Sequence, residues 1–305
     1  MYPDLVKIVL LILSLFMIGA LIIFSAKHLR RSNQELLAEL WKLYGIEFFI
    51  VAAVLIPAYF GGVIFIIALL LFNLRAHVEI AQLHGYAQKT NIITAGILFS
   101  SVVIIAESYI LPQGFLVYYF ISLTAFFVFL ILYVMAGKKH HVIASALLPM
   151  IIFLLSISCL LHIRSMETGF LLIIFLYLVT ETNDAFAMIA GKLIGRTRLY
   201  PRISPNKTWE GMVSGVVVSM LVGLGYSSYI LDYSFSEASI IIGLIITGAI
   251  IGDMIFSVYK RAYNTKDFMT LIKGHGGIID IYDSLLVSSI TFYVLILLTG
   301  LSSSL

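Results

Sequence analysis

The chain has 305 residues, of which 61% are hydrophobic and 11% charged, and its mean hydropathy is +1.06. Soluble domains are typically about 45–50% apolar and about 25% charged, so this composition excludes a soluble globular enzyme and a disordered chain. The formal net charge of +3 also excludes a basic nucleic-acid-binding domain, and we expect no nucleic-acid partner. The composition instead predicts an all-α polytopic integral membrane protein.

Apolar runs long enough to cross a bilayer recur along the whole chain. The first, residues 5–26, is longer than the apolar core of a signal peptide, so we interpret it as a retained span. Further runs bring the predicted total to about ten transmembrane helices, and they lie near residues 43–60, 61–76, 91–110, 115–136, 142–162, 169–188, 212–231, 238–257 and 283–300. Only Pro57 and the pair Gly61–Gly62 separate the second span from the third, which predicts a tight reversal there.

The basic residues predict the orientation of these spans. If both termini lie on the outer side, all but two of the 19 Lys and Arg residues fall on the inner side, the exceptions being Lys7 and Arg164. Such an asymmetry is what the positive-inside rule requires of a correctly counted topology. The sequence therefore predicts a multi-pass protein of the cytoplasmic membrane whose longer loops face the cytoplasm.

Polar residues divide the chain into two parts. Residues 1–175 are predicted to form a transmembrane scaffold for lipid access, with isolated carboxylates at Glu47, Glu79 and Glu107 that lie either within the membrane or at its interface. Residues 176–305 are predicted to form the catalytic region. Its charged side chains are concentrated in two inner segments, 181–211 and 252–284.

The carboxylates of the second part predict a site for a hard cation. Asp280 and Asp283 are three residues apart, so they share one face if a helix begins near Ile279. Oxygen ligands of this kind suit Mg²⁺, which proteins commonly hold with one or two carboxylates and substrate phosphates. An alternative for such a pair is an N-terminal helix cap, because Asp is favoured there.

The neighbouring basic residues predict a phosphate site. Lys260, Arg261 and Lys266 lie between these carboxylates and Asp253, and cationic side chains complement phosphate oxygens. His275 lies in a glycine-rich GHGG turn, whose backbone can approach a phosphate closely. Together these residues indicate nucleotide phosphoryl chemistry at the cytoplasmic membrane surface.

Four ordered blocks within roughly residues 180–290 resemble the phosphatidate cytidylyltransferase family, also called CDP-diacylglycerol synthases. They are N-D-A at 183–185, SPNKTWEG at 204–211, G-D at 252–253, and the stretch from Ser257 to Asp283 that carries S-x-x-K-R, K-D, GHGG and D-x-x-D-S. The chain departs from the family pattern at Ile281, where the family has arginine, and at Lys273, where it has proline. The resemblance therefore indicates a divergent member.

The resemblance implies that CTP and phosphatidate, or a related lipid phosphate, give CDP-diacylglycerol and pyrophosphate. It implies Mg²⁺ as cofactor, with the metal ligands Asp280, Asp283, Asp253 and Asp184. The catalytic set that it implies is Asp280, Asp283, Lys260, Arg261, Lys266 and His275. The substrate-binding set is Ser204, Lys207, Gly276, Gly277 and Lys273, the last of which we expect to compensate in part for the absent arginine.

Two other classes of protein fit some of the same residues. A CTP-dependent polyprenol or lipid kinase would release CDP in place of pyrophosphate. A non-enzymatic transporter of anionic lipids would also use intramembrane carboxylates, but the charges here are predicted at one membrane face and not along a path through the midplane. The expected partners are CTP, a lipid phosphate and membrane lipids, and the sequence leaves a homodimer open.

Single cysteines test this topology once the native Cys159 is replaced. Cysteines at Ser32, Lys139 and Thr197 should react with an impermeant thiol reagent only from the cytoplasmic side, because the basic residues place these segments inside. A cysteine at Ser234 should react only from the outer side. Labelling is compared in intact cells and inverted vesicles, and outer labelling at position 197 would contradict the orientation.

Overall fold

The computed structural model describes residues 5–29, 34–83, 101–102, 105, 140–269 and 276–299. Long apolar runs form helices because a helix satisfies its backbone N–H and C=O groups internally, as hydrocarbon requires. The helices are α1 (Leu5–Leu29), α2 (Gln34–Phe60), α3 (Gly62–Leu83), α4 (His140–Ser165), α5 (Gly169–Ile194), α6 (Trp209–Tyr226), α7 (Phe235–Ala262) and α8 (Ile278–Thr299). A π-helical turn, Ser227–Leu231, extends α6.

The prediction of an all-α polytopic membrane protein is confirmed in its main feature. Within the described residues, seven helices are long and apolar enough to cross a membrane, namely α1, α2, α3, α5, α6, α7 and α8. The described apolar stretch of α4 is shorter, Ile151–Ser165. The predicted spans near 91–110 and 115–136 lie almost wholly outside the described residues, as does Glu107. The total of ten spans and the outer position of both termini stay predictions.

The predicted reversal between the second and third spans is present. Helix α2 continues through Pro57 to Phe60, and α3 begins two residues later. Gly61 and Gly62 have φ angles of +62° and +47°, which glycine adopts without the penalty that a side chain would incur. At the same end of the bundle, Arg164 donates from Nε to the carbonyl oxygen of Ala58 at 2.7 Å.

Two contacts between helices show which residues lie at each end of the bundle. Arg164 and the Gly61 turn share one end. The C-terminal part of α3 meets the start of α8, where Ile278 donates its backbone N–H to Glu79 at 2.8 Å. Since α3 runs from the Gly61 turn to Glu79, these two contacts lie at opposite ends. Arg164 therefore lies at the opposite end of the bundle from the Glu79 contact, and the side of the membrane on which each end lies stays a prediction.

Helix α5 is the central helix of the described fold. Residues 172–180 are all buried, and α5 packs most extensively against α6, as α7 does against α8. Both pairs approach closely at glycines: a Cβ at Gly215 of α6 would overlap with the Asn183 carbonyl oxygen, and one at Gly248 of α7 would press on Ser288. Close helix packing through small residues is typical of membrane bundles.

A short antiparallel hairpin joins α5 to α6, and the all-α prediction missed it. Its strands are β1 (Arg198–Tyr200) and β2 (Ser204–Thr208), with Arg198 opposite Thr208 and Tyr200 opposite Ser204. The polar segment between the two apolar runs is too short for a further span. It pairs its backbone groups within the hairpin, and it carries the SPNK residues on β2.

The helix contact at Gly215 gives a prediction about stability. Gly215→Ala should lower the free energy of unfolding by about 1–3 kcal/mol, because the added methyl group has no room against α5. Gly225→Ala is the matched control, since a Cβ there meets nothing within 4 Å. The measurement is thermal unfolding of the two purified variants in detergent. Equal unfolding temperatures for Gly215→Ala and the unaltered protein would contradict the close packing.

Candidate active site

A polar cavity of roughly 710 Å³ opens at the end of the bundle where α3 meets α8. Its walls come from α2, α5, the hairpin, the start of α6, α7 and the start of α8. Nine of the predicted site residues line it: Asp184, Ser204, Lys207, Asp253, Lys260, Arg261, Lys266, Asp280 and Asp283. Gly276 and Gly277 are buried just before α8. His275 and Lys273 lie outside the described residues.

Helical periodicity explains why these residues converge. On α7, Asp253, Ser257 and Lys260 follow one another at intervals of four and three residues, so they share one face. Asp280 and Asp283 share a face of α8 for the same reason, as Glu181 and Asp184 do on α5. Each helix therefore turns one polar face toward the cavity, while its other faces pack against apolar neighbours or lipid.

Asp280 is held by three donors. Its Oδ1 accepts from Nζ of Lys260 at 2.5 Å, and its Oδ2 accepts the backbone N–H groups of Phe268 and Gly277, both at 2.8 Å. The contact with Gly277 caps the N-terminus of α8, as the alternative interpretation of Asp280 predicts. Capping and ion pairing occur together, because each uses a different carboxylate oxygen.

Lys260 is fixed in the wall of the cavity. The residue is 8% exposed, and its ammonium lies 5.6 Å from the centroid of the Phe268 ring in addition to its contact with Asp280. A cation over an aromatic face gains a further attraction that increases as water is excluded. Lys260 therefore presents a fixed positive charge to the cavity.

A second cation, Lys207, enters the cavity from β2. Its ammonium forms an ion pair with Asp253 of α7. Burial lowers the pKa of the Lys207 ammonium, and the carboxylates of Asp283 and Asp184 oppose that shift. Lys207 therefore interacts with carboxylates on three helices at once.

Asp184 and Asp283 are connected through short polar side chains. The Ser284 hydroxyl lies within reach of both carboxylates: it donates to Oδ1 of Asp283 at 3.4 Å, and Asp184 is the alternative acceptor of its one proton. On the other side, Nδ2 of Asn183 donates to Oδ1 of Asp184 at 3.1 Å. These partners, together with Ser257, which donates to Asp253 at 3.5 Å, were not among the predicted site residues. They lie within the N-D-A, D-S and S-x-x-K-R blocks, so the signal was present.

Some residues of the SPNKTWEG block line the cavity, and others form hydrogen bonds that hold the local backbone in place. Ser204, Asn206 and Lys207 line the cavity. Thr208 caps α6, where its Oγ1 accepts the N–H of Gly211 at 3.2 Å. The carboxylate of Glu210 accepts the N–H groups of residues 196 and 197 at 3.1 Å each and so closes the loop after α5.

Arg261 has a different environment from the one the sequence suggests. Its Nε donates to the carbonyl oxygen of Ile203 at 2.8 Å, and its Nη1 donates to that of Thr265 at the same distance. The guanidinium therefore ties the hairpin to the loop that follows α7, although it also reaches the cavity wall. No sequence signal distinguishes this arginine from one that binds a phosphate.

The donor set of the cavity fits a hard divalent cation. Asp184, Asp253 and Asp283 supply carboxylate oxygens from three helices. In the part of the chain that the structure describes, no three His, Cys, Asp or Glu side chains converge into a preformed metal centre. Mg²⁺ does not require one, because substrate phosphates and water supply much of its coordination.

A charged cavity at one end of an apolar helical bundle, with paired carboxylates and lysines, is typical of a membrane-embedded enzyme with charged substrates. Comparison with known proteins agrees with this class. The family model described as "Cytidylyltransferase family" matches residues 40–299 of this chain. The chain belongs to the cytidylyltransferase family, and it is a nucleotidyltransferase.

Several relatives carry the name phosphatidate cytidylyltransferase. The protein from Rickettsia bellii is 34% identical over 163 residues, which cover 51% of this chain and 71% of the relative. That from Rickettsia prowazekii is 36% identical over 157 residues, or 48% and 68% of the two chains. That from Staphylococcus saprophyticus is 35% identical over 139 residues, or 41% and 53%.

The contacts of Arg261 give a prediction that does not depend on activity. Arg261→Lys keeps the charge but loses the fork that reaches Ile203 and Thr265 together, so the hairpin should be cut faster by trypsin. Arg164→Lys is the matched control, since Arg164 also bonds backbone carbonyls but at the opposite end. Limited proteolysis with mass spectrometry measures the cleavage. Unchanged cleavage after residues 196–202 in Arg261→Lys would contradict the anchoring.

Proposed function

We propose that this enzyme transfers the cytidylyl group of CTP to phosphatidate or a related lipid phosphate. An oxygen of the lipid phosphate attacks the α-phosphorus of CTP, and the bond to the bridging oxygen of the pyrophosphate breaks. The products are CDP-diacylglycerol and pyrophosphate. The attacking oxygen is already ionised near neutral pH, because the second pKa of a phosphate monoester is about 6. No strong general base is needed.

The meeting of a charged cavity and an apolar groove supports a lipid phosphate as acceptor. A groove of about 100 Å³ lies between α1, α2 and α5, lined by side chains such as Leu15, Leu55 and Ile174. It shares Glu47, Glu181 and Ala185 with the polar cavity. An acyl chain in the groove would therefore place its phosphate toward the lysines.

The chain's own cations would bind and orient the two polyanions. Lys260 and Lys207 reach the cavity from different elements, α7 and the hairpin. Two anionic reactants are brought together by positive charges at fixed positions. Orienting the reactants in this way contributes a large part of the rate enhancement of a phosphoryl-transfer enzyme. We assign the triphosphate and the lipid phosphate to Lys207, Lys260, Lys266 and Arg261. Ser204, Lys273, His275 and the glycines at 276–277 would complete the phosphate-binding surface.

Mg²⁺ would be held by Asp283, Asp253 and Asp184. Asp280 would contribute its Oδ1, which in the structure accepts a hydrogen bond from Lys260. The ion would neutralise charge on the leaving pyrophosphate and help to align the phosphates. Ser284 and Asn183 would orient two of these carboxylates, since they donate hydrogen bonds to Asp283 and Asp184.

The cytoplasmic orientation and the division at residue 175 belong to this proposal. The hairpin carries Arg198 and Arg202 and lies at the same end as the cavity, which agrees with the positive-inside rule. Most residues of the cavity wall come from position 181 onward, whereas α1 and α2 together supply half of the groove lining and α5 supplies the other half. The cavity wall supports a C-terminal catalytic region, and the share of α1 and α2 in the groove supports a part for the N-terminal region in lipid access.

The identity of the nucleotide product tests the reaction. Purified protein is incubated with CTP labelled in the cytidine, Mg²⁺ and a panel of phosphatidate, polyprenyl phosphate and the corresponding dephosphorylated lipids. We expect labelled CDP-lipid and release of pyrophosphate with phosphatidate. Release of CDP with a dephosphorylated lipid would instead identify a lipid kinase, and turnover with none of the lipids would overturn the proposal.

The carboxylate assignment is tested in the same assay. Asp283→Asn should lower kcat by about 100-fold or more, because loss of one electrostatic stabiliser of the reacting charges typically costs that much. Asp232→Asn is the matched control, since Asp232 is exposed in the left-handed region that Asn also tolerates. Ordinary rates for Asp283→Asn at ordinary Mg²⁺ would remove Asp283 from the site.

A further inference from the structure

Glu79 is a buried carboxylate that none of the steps above uses. It lies near the end of α3 and is 0% exposed. Its Oε1 accepts the backbone N–H of Ile278 at 2.8 Å, and its Oε2 accepts that of Ile279 at 3.2 Å, across 199 residues of sequence. These are the first N–H groups of α8, which have no partner within their own helix.

The surroundings of Glu79 are those of a site built for a carboxylate. Arg75, one helical turn earlier, donates to its Oε1 at 3.0 Å. The helix dipole of α8 adds a favourable interaction with a negative charge at this position. A Cβ at Gly277 would overlap with the Glu79 carboxyl group. The second glycine of the GHGG block therefore makes room for Glu79.

The first turn of α8 is thus fixed by carboxylates from two directions. Glu79 binds the N–H groups of Ile278 and Ile279, and Asp280 binds that of Gly277. The position at which a helix begins also fixes the direction of every side chain on it, because each residue rotates the chain by a constant angle. Asp280 and Asp283 are the third and sixth residues after Gly277, so their directions depend on this anchor.

We propose that Glu79 is a positioning residue: it holds the first turn of α8 and so directs Asp280 and Asp283 into the cavity. The role of these two aspartates in catalysis rests on the proposed cytidylyl transfer, whereas the anchoring of α8 does not. Glu79 touches no substrate in this proposal and acts only through the helix.

Glu79→Gln tests this with little change in shape. The amide keeps one acceptor oxygen but turns an NH₂ group toward the other helix N–H, so one of the two bonds is lost. We expect faster hydrogen exchange in residues 278–283. We also expect kcat for transfer to fall about 10- to 100-fold, with little change in KM for CTP, because a small misplacement of reacting groups costs rate more than binding.

Glu237→Gln is the matched control. Glu237 also caps a helix, accepting the N–H of Ser234 at 3.0 Å at the start of α7, but at the opposite end of the bundle. Its loss should leave kcat and the exchange of residues 278–283 unchanged. If Glu79→Gln does not fold, Glu79→Asp replaces it, because the shorter side chain keeps the charge but withdraws the carboxylate from the two N–H groups of α8.

The outcomes separate anchoring from catalysis. Faster exchange together with a lower kcat supports the proposal. Faster exchange with an unchanged kcat shows that Glu79 only stabilises the helix, and unchanged exchange shows that it does not anchor α8; either result overturns the proposal. If the unaltered protein transfers no cytidylyl group to any lipid phosphate, the proposed function fails, and the exchange measurement alone decides the anchoring.

Discussion

An isolated charge inside a membrane is strongly unfavourable, and this constraint determines how the cavity is built. Asp253 of α7 is paired with Lys207 of the hairpin, and Asp280 of α8 with Lys260 of α7. Glu79 of α3 satisfies the start of α8. Each contact joins two different elements, so the pairing that makes the charges tolerable also sets the arrangement of the helices. Stability and the geometry of the site are consequences of the same contacts.

The constraint also explains why the motif residues differ in role. In SPNKTWEG, Lys207 faces the cavity. Thr208 accepts a backbone N–H group at the start of α6, and Glu210 accepts one in the loop that follows α5. In GHGG, Gly277 provides space for Glu79. One ordered block of residues therefore combines side chains that line the cavity with side chains that hold the surrounding backbone in place. Substituting either kind would reduce activity, but by different physical routes.

Much of the fold follows from local properties of the chain. Length and hydropathy identify the membrane helices, and the glycine pair at 61–62 identifies the reversal, because both depend on short stretches of sequence. The convergence of nine predicted residues on one cavity follows from helical periodicity combined with the order of the blocks. The hairpin was missed because a short polar segment gives no periodic signal.

Other features depend on contacts that no local pattern contains. Arg261 is recognisable from sequence as a candidate for phosphate binding, but its contacts with two backbone carbonyl oxygens are not. Glu79 was visible only as an intramembrane carboxylate, since its partner is 199 residues away. Asp280 was open to two interpretations: its contact with Gly277 caps α8, whereas its role as a metal ligand stays a prediction. A sequence supplies the chemistry of a side chain, but its role here depends on which backbone groups reach it.

Charge balance connects these contacts to the proposed reaction. In the structure, Lys207 and Lys260 are paired with aspartates of the cavity. In the proposed reaction, phosphate oxygens would share these two ammonium groups, and the carboxylates would become available to a divalent cation. The lysines and the cation would then offset part of the negative charge that the two substrates bring into the cavity. The carboxylates and lysines are therefore both needed, because each stabilises the other until the substrates arrive.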